Sequence, residues 1–202
     1  MRKVLLVSFE PFGGELRNPA WDILSTFTFS EVINASIAKI VLPCTFSDSR
    51  LILLNRLEKE CFDIIIIFAQ AGGRFEINIE RVAINVIDSP IPDNNNIQII
   101  DESIEANGAN AYFSTIPVKE IVRKLKNNNI PSCVSNNAGT FLCNYIFYSS
   151  LHFIESMKKE TKVGVVHIPY IPEQVLYRPG VPCMSEDIIE RALSHIVISS
   201  LN

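Results

Sequence analysis

The sequence has no apolar run long enough to cross a membrane. A helix that spans a bilayer needs about 18 or more consecutive apolar residues, whereas the longest uncharged stretch, residues 127–154, is interrupted by Asn, Ser, Pro and His. The apolar run near the start, residues 4–9, is shorter than the core of a secretory signal peptide and ends at Glu10. We therefore expect no membrane partner and a cytoplasmic location.

Positive charge is also in short supply. Lys and Arg number 18 against 22 Asp and Glu, which gives a formal net charge of −4 at pH 7. Proteins that bind nucleic acid usually carry a basic face, and here the basic residues are scattered among acidic neighbours. The eight Gly residues form neither a G-x-G-x-x-G nor a G-x-x-x-x-G-K-S/T phosphate loop, and there is no G-x-S-x-G serine elbow. The sequence therefore predicts neither a nucleic-acid partner nor a nucleotide site.

The five Cys residues form no metal-binding or disulfide pattern. Their number is odd, no pair has C-x-x-C spacing, and no two Cys or His residues lie at the spacing of zinc ligands. We therefore predict free thiols in a reducing compartment, no metal site and no cofactor. Since free Cys is commonly buried, most of the five are expected to be small core residues.

Strand and helix patterns alternate along the chain. Short, continuous apolar runs predict strands, and amphipathic segments with capping residues predict helices. The predicted strands are residues 3–9, 36–42, 62–69, 75–86, 132–135 and 162–168, and the predicted helices begin near residues 19, 47, 117, 138 and 186. Residues 62–69 are apolar enough for a central strand, and residues 88–110 are predicted as a long excursion. The alternation predicts one domain, residues 1–202, with an α/β fold and helices on both faces of a largely parallel sheet.

Two residues fall where such sheets usually carry their ligand sites, beyond the carboxyl ends of the strands. Cys143 lies in the first turns of a predicted helix, whose N-terminus favours a thiolate and lowers the thiol pKa. His167 ends a predicted strand and is a candidate general base for that thiol, and Glu80 is a candidate to orient the imidazole. A plainer interpretation also stands, because a lone Cys in an apolar helix is more often a packing residue and a lone His at a strand end is more often structural.

Short motifs spread over nearly the whole chain resemble those of one known family. They are Phe9-Glu10-Pro11-Phe12-Gly13-Gly14, Asn18-Pro19, Gln70-Ala71-Gly72-Gly73-Arg74, Glu80-Arg81-Val82-Ala83-Ile84-Asn85-Val86, Ile91-Pro92-Asp93-Asn94, Tyr112-Phe113-Ser114-Thr115, Ser135-Asn136, Ala138-Gly139-Thr140-Phe141-Leu142-Cys143-Asn144 and His167-Ile168-Pro169-Tyr170-Ile171-Pro172. In this order they resemble the pyrrolidone-carboxylate peptidase (pyroglutamyl peptidase I) family of cysteine peptidases. The set is far more specific than any single motif within it.

The resemblance implies a cysteine exopeptidase that removes an N-terminal pyroglutamyl residue from peptides through a thioester intermediate. It also implies a catalytic triad of Glu80, Cys143 and His167. The family fold is a three-layer α/β/α sandwich with a mixed, largely parallel central sheet, commonly assembled as a homotetramer. Peptides that begin with pyroglutamate, and further copies of the chain, are then the expected partners.

The end group of such a substrate is a flat, uncharged lactam ring with one N–H donor and one C=O acceptor. Its site is expected to have apolar walls and a few amide contacts. Phe9, Phe12, Ile91 and Phe141 fit as walls, and Asn18 and Gln70 fit as polar contacts. Without the resemblance, ordinary core packing is the better interpretation of the Phe residues.

One position departs from the family pattern. The family usually carries an Arg immediately before its Ile-Pro-Asp stretch, as an oxyanion partner, and here that residue is Pro90. The loss of one oxyanion donor costs about 10²–10³ in rate, and Arg74 and Arg81 are the candidates to compensate. Two alternatives therefore stay open: a weakened relative that binds pyroglutamyl peptides, and a Cys-His-Glu amidase that acts on another amide.

Overall fold

The computed structural model describes residues 1–29 and 35–202. The strands of this part of the chain are β1 (Arg2–Phe9), β2 (Ala35–Leu42), β3 (Ile64–Gln70), β4 (Ile77–Glu80), β5 (Val82–Ile84), β6 (Ala111–Phe113), β7 (Ser132–Ser135) and β8 (Lys162–Ile168). The helices are α1 (Pro19–Thr26), α2 (Phe46–Lys59), α3 (Val118–Asn127), α4 (Leu142–Ser156), α5 (Pro172–Val175) and α6 (Glu186–Leu201). Apart from two segments discussed below, the predicted elements agree with these bounds to within two residues.

A mixed sheet forms the centre of the fold. Its strand order, among the described residues, is β2-β1-β3-β8-β4-β7. Strands β2, β1, β3 and β8 run parallel to one another, whereas β4 pairs antiparallel with β8 and parallel with β7. Every residue of β3 is buried, which confirms the prediction of a central strand with neighbours on both sides.

Helices cover both faces of the sheet, because its inner strands are apolar on both sides. Side chains alternate between the two faces of a strand. Ile65 and Ile67 of β3 therefore pack in one core with α2 and α4, and Ile64 and Ile66 pack in a second core with α1, α3 and α6. The predicted three-layer α/β/α sandwich with a mixed, largely parallel sheet is confirmed. None of the helices in the described ranges is long and apolar enough to cross a bilayer.

Residues 75–86, predicted as one strand, are divided between two sheets. β4 belongs to the central sheet, and β5 pairs with β6 in a separate two-stranded sheet. Arg81 joins them: its N–H donates to Ser135 O at 2.8 Å, and its carbonyl accepts from Ser114 N–H at 2.8 Å. The alternating pattern continues through Arg81, so the sequence indicates extended backbone there without indicating the change of pairing partner.

The helix α4 begins at Leu142 rather than at Ala138. Gly139 has a positive φ of 80°, which a right-handed helix does not contain. Its N–H donates to Asn137 Oδ1 at 2.9 Å. Residues 136–141 therefore form a loop that leads into the helix just before Cys143.

All five Cys residues lie in the described part of the chain, and each is a free thiol, as predicted. Cys44 is buried, Cys133 and Cys143 are partly exposed, and Cys61 and Cys183 are exposed. The prediction that most of them fill the core is wrong, because Cys61 and Cys183 lie outside the helices and strands, at the surface.

Candidate active site

Glu80 and His167 form a buried hydrogen bond on the central sheet. Glu80 Oε1 lies 2.8 Å from His167 Nδ1, and the two residues are 0% and 4% exposed. A carboxylate only accepts hydrogen bonds, so Nδ1 carries the proton that Glu80 accepts and Nε2 keeps a free lone pair. The pair therefore holds the imidazole ready to take a proton at Nε2.

The antiparallel pairing of β4 with β8 brings these two residues together. Asn78 stands opposite His167, and Glu80 stands opposite Val165. Val165 belongs to the core shared with α2 and α4, whereas Ile79 belongs to the core on the other face. Because side chains alternate along a strand, Glu80 and His167 both point toward the α4 face.

Arg74 is a second partner of the Glu80 carboxylate. Its Nη1 lies 2.8 Å from Glu80 Oε1 and 2.7 Å from Asn78 Oδ1, and its Nη2 donates to the carbonyl oxygen of Asn137 at 3.0 Å. Glu80 Oε1 thus accepts hydrogen bonds from both Arg74 and His167. The guanidinium balances the charge of the buried carboxylate even when the imidazole is neutral. It therefore lowers the free-energy cost of burying Glu80.

Cys143 is the second residue of α4, a position where the backbone N–H has no partner within the helix. The first helical bond runs from Tyr145 N–H to Phe141 O at 3.0 Å. Asn144 fixes this end of the helix to β5, because its side-chain amide accepts from Ile84 N–H at 3.0 Å and donates to Ile84 O at 2.9 Å. A firmly held helix start with a free N–H beside a thiol is suited to bind an oxyanion.

The loop before α4 brings Cys143 to the site. β7 runs antiparallel to β8 and ends at Ser135, which is level with Val165 in the middle of β8. The expectation that the site lies beyond the carboxyl ends of the strands therefore does not hold for β7. Residues 136–141 turn back from this point, and Cys143 lines the same cavity as His167.

The surroundings of Cys143 raise the pKa of its thiol. Burial raises the pKa most, the Glu80 carboxylate raises it further, and the Arg74 guanidinium lowers it to a smaller extent. The helix start alone predicts a lowered pKa, whereas burial of the thiol and the Glu80 carboxylate act in the opposite direction. A thiol whose pKa is raised depends on a base to become a nucleophile.

A cavity with about 590 Å³ of empty space, its open mouth included, adjoins Cys143 and His167. Its lining consists of Phe9, Phe12, Cys44, Ala69, Gln70, Ala71, Gly72, Ala138, Phe141, Leu142, Cys143 and His167. The ring centroids of Phe12 and Phe141 lie 6.0 Å apart. Apolar walls with few polar groups are typical of sites for small ligands. Among the described residues, no group of three or more His, Cys, Asp or Glu side chains is arranged to hold a metal ion.

Four of the six expected substrate contacts, Phe9, Phe12, Gln70 and Phe141, line this cavity, and Asn18 does not. Asn18 caps α1: its Oδ1 accepts from Ala20 N–H at 3.1 Å, and its Nδ2 donates to Phe9 O at 2.9 Å. The amide is thus engaged with the backbone. It holds the loop that carries Phe12 and offers no group to a ligand.

Ile91 also lies outside the cavity lining, although it was a candidate for its wall. It packs on the loop after β1, where a Cβ atom at Gly13 would lie 3.2 Å from Ile91 Cδ1. Gly13 has a positive φ of 62° as well, so both space and conformation favour Gly there. Ile91 therefore contacts the loop that carries Phe12.

Pro90 is exposed and brings no cation to the site. The segment that carries it is tied to the loop before α4, because Asp88 N–H donates to Thr140 O at 3.0 Å and Thr140 Oγ1 donates to Asp88 O at 2.6 Å. Of the two candidates to compensate, Arg74 already donates to three acceptors, and Arg81 is not part of the cavity lining.

Cys44 is a lining residue that the sequence argument overlooked. It follows the carboxyl end of β2, which lies beside β1 with the same direction. The expectation that ligand sites lie beyond the carboxyl ends of the strands therefore selects Cys44 when it is applied to β2 as well. Burial raises the pKa of the Cys44 thiol to about 12, with smaller contributions from the carboxylates of Asp93 and Glu10, so Cys44 presents a neutral, compact side chain to the cavity.

One cavity thus brings together a thiol and an imidazole that can take a proton, and a buried carboxylate behind the imidazole orients it. These groups on an α/β/α sandwich are those of a cysteine hydrolase. The chain belongs to the pyroglutamyl peptidase family, whose family model matches residues 2–201.

Relatives and solved structures agree with this assignment. The pyrrolidone-carboxylate peptidase of Brachyspira hyodysenteriae is 45% identical over 199 residues, 98% of each chain. The structure of pyroglutamyl peptidase I from Bacillus amyloliquefaciens has a TM-score of 0.93 at 41% identity and covers 98% of this chain and 94% of that one. The pyrrolidone carboxyl peptidase from Thermococcus litoralis has a TM-score of 0.94 at 38% identity, with 100% and 94% covered. The family resemblance of the motifs is confirmed.

Proposed function

We propose that this chain is a cysteine exopeptidase that hydrolyses the bond after an N-terminal pyroglutamyl residue. The observation that carries the proposal is the apolar cavity shared by Cys143 and His167, with Glu80 bonded to the imidazole. Relatives that match nearly the full length of the chain are named for this activity. The substrates are accordingly peptides that begin with pyroglutamate.

In the proposed mechanism, His167 Nε2 takes the proton of the Cys143 thiol as the sulfur attacks the pyroglutamyl carbonyl carbon. The backbone N–H of Cys143 donates to the oxyanion that forms. The imidazolium, stabilised by Glu80, returns its proton to the departing amine, and a thioester remains on Cys143. Water activated by His167 then hydrolyses the thioester and releases pyroglutamate.

The cavity suits a lactam better than an ordinary peptide N-terminus. Its lining contains no Asp or Glu that could pair with an ammonium group. Phe12 and Phe141 offer apolar surfaces for the ring, and the Gln70 amide offers a hydrogen bond. An uncharged cyclic end group therefore loses little hydration free energy when it enters the cavity. A charged end group would lose its hydration there without gaining a partner.

The test is release of a dye from a pyroglutamyl dye amide. We expect turnover by the wild type and none by Cys143→Ala. The matched control is Cys133→Ala, since Cys133 is also a partly exposed free thiol but does not line the cavity. Wild-type turnover no greater than that of Cys143→Ala would refute the proposed function.

We also propose that residues 1–202 form one domain and that copies of it assemble, with a tetramer as the expected state. Strands from both halves of the sequence share one sheet, which supports a single domain. Leu176 and Tyr177 are 70% and 95% exposed, and exposed apolar side chains that group together commonly mark partner surfaces. Light scattering in solution measures the mass, and the mass of one chain would contradict assembly. The free thiols, the nucleophile included, suit a reducing compartment such as the cytoplasm.

A further inference from the structure

The amide of Gln70 is held by a side chain outside the cavity, Gln174 on the short helix α5. Gln174 Nε2 donates to Gln70 Oε1 at 3.1 Å and to Glu15 Oε2 at 3.3 Å. Gln174 Oε1 accepts from the backbone N–H of Ile171 at 3.2 Å. The three bonds use the oxygen and both hydrogens of the Gln174 amide.

These partners allow Gln174 only one orientation. An amide has an oxygen on one side and an NH₂ group on the other, and its neighbours decide which side faces which way. The N–H of Ile171 can only donate, so it requires the Gln174 oxygen. The carboxylate of Glu15 can only accept, so it requires the Gln174 NH₂ group. The two requirements agree, and Glu15 is itself held by Arg178 Nη1 at 2.7 Å.

The orientation of Gln174 dictates that of Gln70. Facing an NH₂ group, Gln70 must present its oxygen to Gln174, and its own NH₂ group is left over. Gln70 is 6% exposed and lines the cavity. Among the described residues, Gln70 Nε2 has no hydrogen-bond partner and is not one of the fully buried atoms that lack one, so it keeps some exposure. The polar group that Gln70 offers a ligand is therefore a donor.

We propose that Gln174 is a positioning residue that gives the site its specificity for the lactam carbonyl. It keeps the NH₂ group of Gln70 turned to the ligand, where this group matches the C=O of the ring and not its N–H. The inference rests on the proposed function and adds to it the residue that sets the polarity of the pocket. Gln174 touches no reacting atom and acts only through Gln70.

The substitution Gln174→Glu tests this assignment, because a carboxylate has nearly the shape of the amide but only accepts. It accepts from Ile171 N–H as before, has no hydrogen for Glu15 or Gln70, and draws the NH₂ group of Gln70 toward itself. The Gln70 oxygen then faces the lactam oxygen. We expect KM for the pyroglutamyl dye amide to rise roughly 10- to 100-fold, as for a buried polar group left without a partner, while kcat changes less than about threefold.

Lower pH provides a rescue that a merely structural role would not show. A protonated carboxyl again has one acceptor oxygen for Ile171 and one O–H donor, for which Gln70 and Glu15 compete as acceptors. The KM of Gln174→Glu, divided by the wild-type KM at the same pH, is therefore expected to fall toward one as the pH is lowered from about 7 to about 4.5. The wild-type series corrects for the pH dependence of the unmodified enzyme.

The matched control is Glu173→Gln, which changes charge at the exposed neighbour on the same helix. We expect its KM and kcat to equal those of the wild type. A wild-type KM in Gln174→Glu, or a raised KM ratio that low pH leaves unchanged, would overturn the assignment. These outcomes are distinct from failure of the proposed function, in which the wild type itself releases no more dye than Cys143→Ala.

Discussion

Glu80 and His167 are 87 residues apart in the chain, and their side chains share one buried hydrogen bond of 2.8 Å. They stand on neighbouring strands of opposite direction, β4 and β8. Backbone hydrogen bonds set the spacing of such strands at about 4.8 Å. The relative position of the candidate base and its carboxylate is therefore fixed by the sheet and not by a loop.

Glu80→Gln is expected to separate the reactivity of the thiol from turnover. The amide cannot stabilise the imidazolium and can turn to hold the wrong tautomer, a change that costs about 10⁴ in kcat in a serine-protease triad. Glu80 also raises the pKa of Cys143, so its neutralisation lowers that pKa. Dye release is expected to fall about 10³–10⁴-fold, while alkylation of Cys143 by iodoacetamide moves to lower pH.

The control for this experiment is Glu120→Gln, which removes an exposed carboxylate from its pair with Arg123 on α3. It is expected to change neither measurement. Turnover of Glu80→Gln within tenfold of the wild type, or alkylation that moves to higher pH, would contradict the role assigned to Glu80.

Arg74→Gln is expected to shift the pKa of the Cys143 thiol in the direction opposite to that of Glu80→Gln. The Arg74 guanidinium lowers the pKa of Cys143, so its removal raises this pKa and shifts alkylation to higher pH. Glu80 also loses its cation, and we expect kcat to fall about tenfold or more because a buried carboxylate without its partner is costly. Arg74→Lys keeps the charge and should retain the alkylation profile. Arg81→Gln is the neutral control, and equal profiles for Arg74→Gln and Arg81→Gln would show that Arg74 has no such effect.

Stability is expected to decline at alkaline pH through Cys44. Its pKa is about 12 in the folded protein against 9.0 for an ordinary thiol, chiefly because the residue is buried. A raised thiol pKa gives stability that is complete below pH 9 and is lost as the pH rises toward 12. The slope is about 1.4 kcal/mol per pH unit for one proton.

Urea unfolding between about pH 8.5 and 10.5 measures this slope. The free energy of unfolding of Cys44→Ala is expected to fall less steeply with pH than that of the wild type, whatever its value at neutral pH. Cys61→Ala, at an exposed thiol, should keep the wild-type slope. Parallel curves for wild type and Cys44→Ala would rule out this source of pH dependence.

Pro90→Arg is expected to raise kcat. The segment of Pro90 is tied through Asp88 to Thr140, three residues before Cys143, so an Arg side chain there starts near the loop that leads to the nucleophile. One added oxyanion partner contributes up to about 10²–10³, and we expect at least a tenfold gain because Arg74 is already engaged. Pro90→Met has a similar reach without charge. An equal effect of Met and Arg in the dye-release assay would show that the position does not face the reacting carbonyl.

The parts of the fold that could be predicted from the sequence are those that depend on local residue patterns. The apolar run of β3 and the Asn18-Pro19 start of α1 need no knowledge of the rest of the chain. The direction of β4 and the switch at Arg81 could not be predicted in this way, because an alternating strand looks the same whichever neighbour it pairs with.

The candidate site shows the same division. Motifs identify Cys143, His167 and Glu80 as residues of interest, and an amide such as Asn18 fits a ligand on paper as well as Gln70 does. What separates them is the set of partners that each finds after folding: Asn18 is used up by backbone groups, and Gln70 is oriented by Gln174. The raised pKa of Cys143 likewise results from tertiary burial, which no helix position reveals.

His167 lies on β8, an interior strand with β3 on one side and β4 on the other. Such a residue cannot leave its place unless the hydrogen bonds of the sheet open with it. Withdrawal of the base by a shift of its backbone would therefore require the sheet itself to open. In a denaturant titration, the catalytic rate and the circular-dichroism signal of the folded state should be lost over the same concentration range. The rate of hydrolysis then measures the fraction of molecules that are folded.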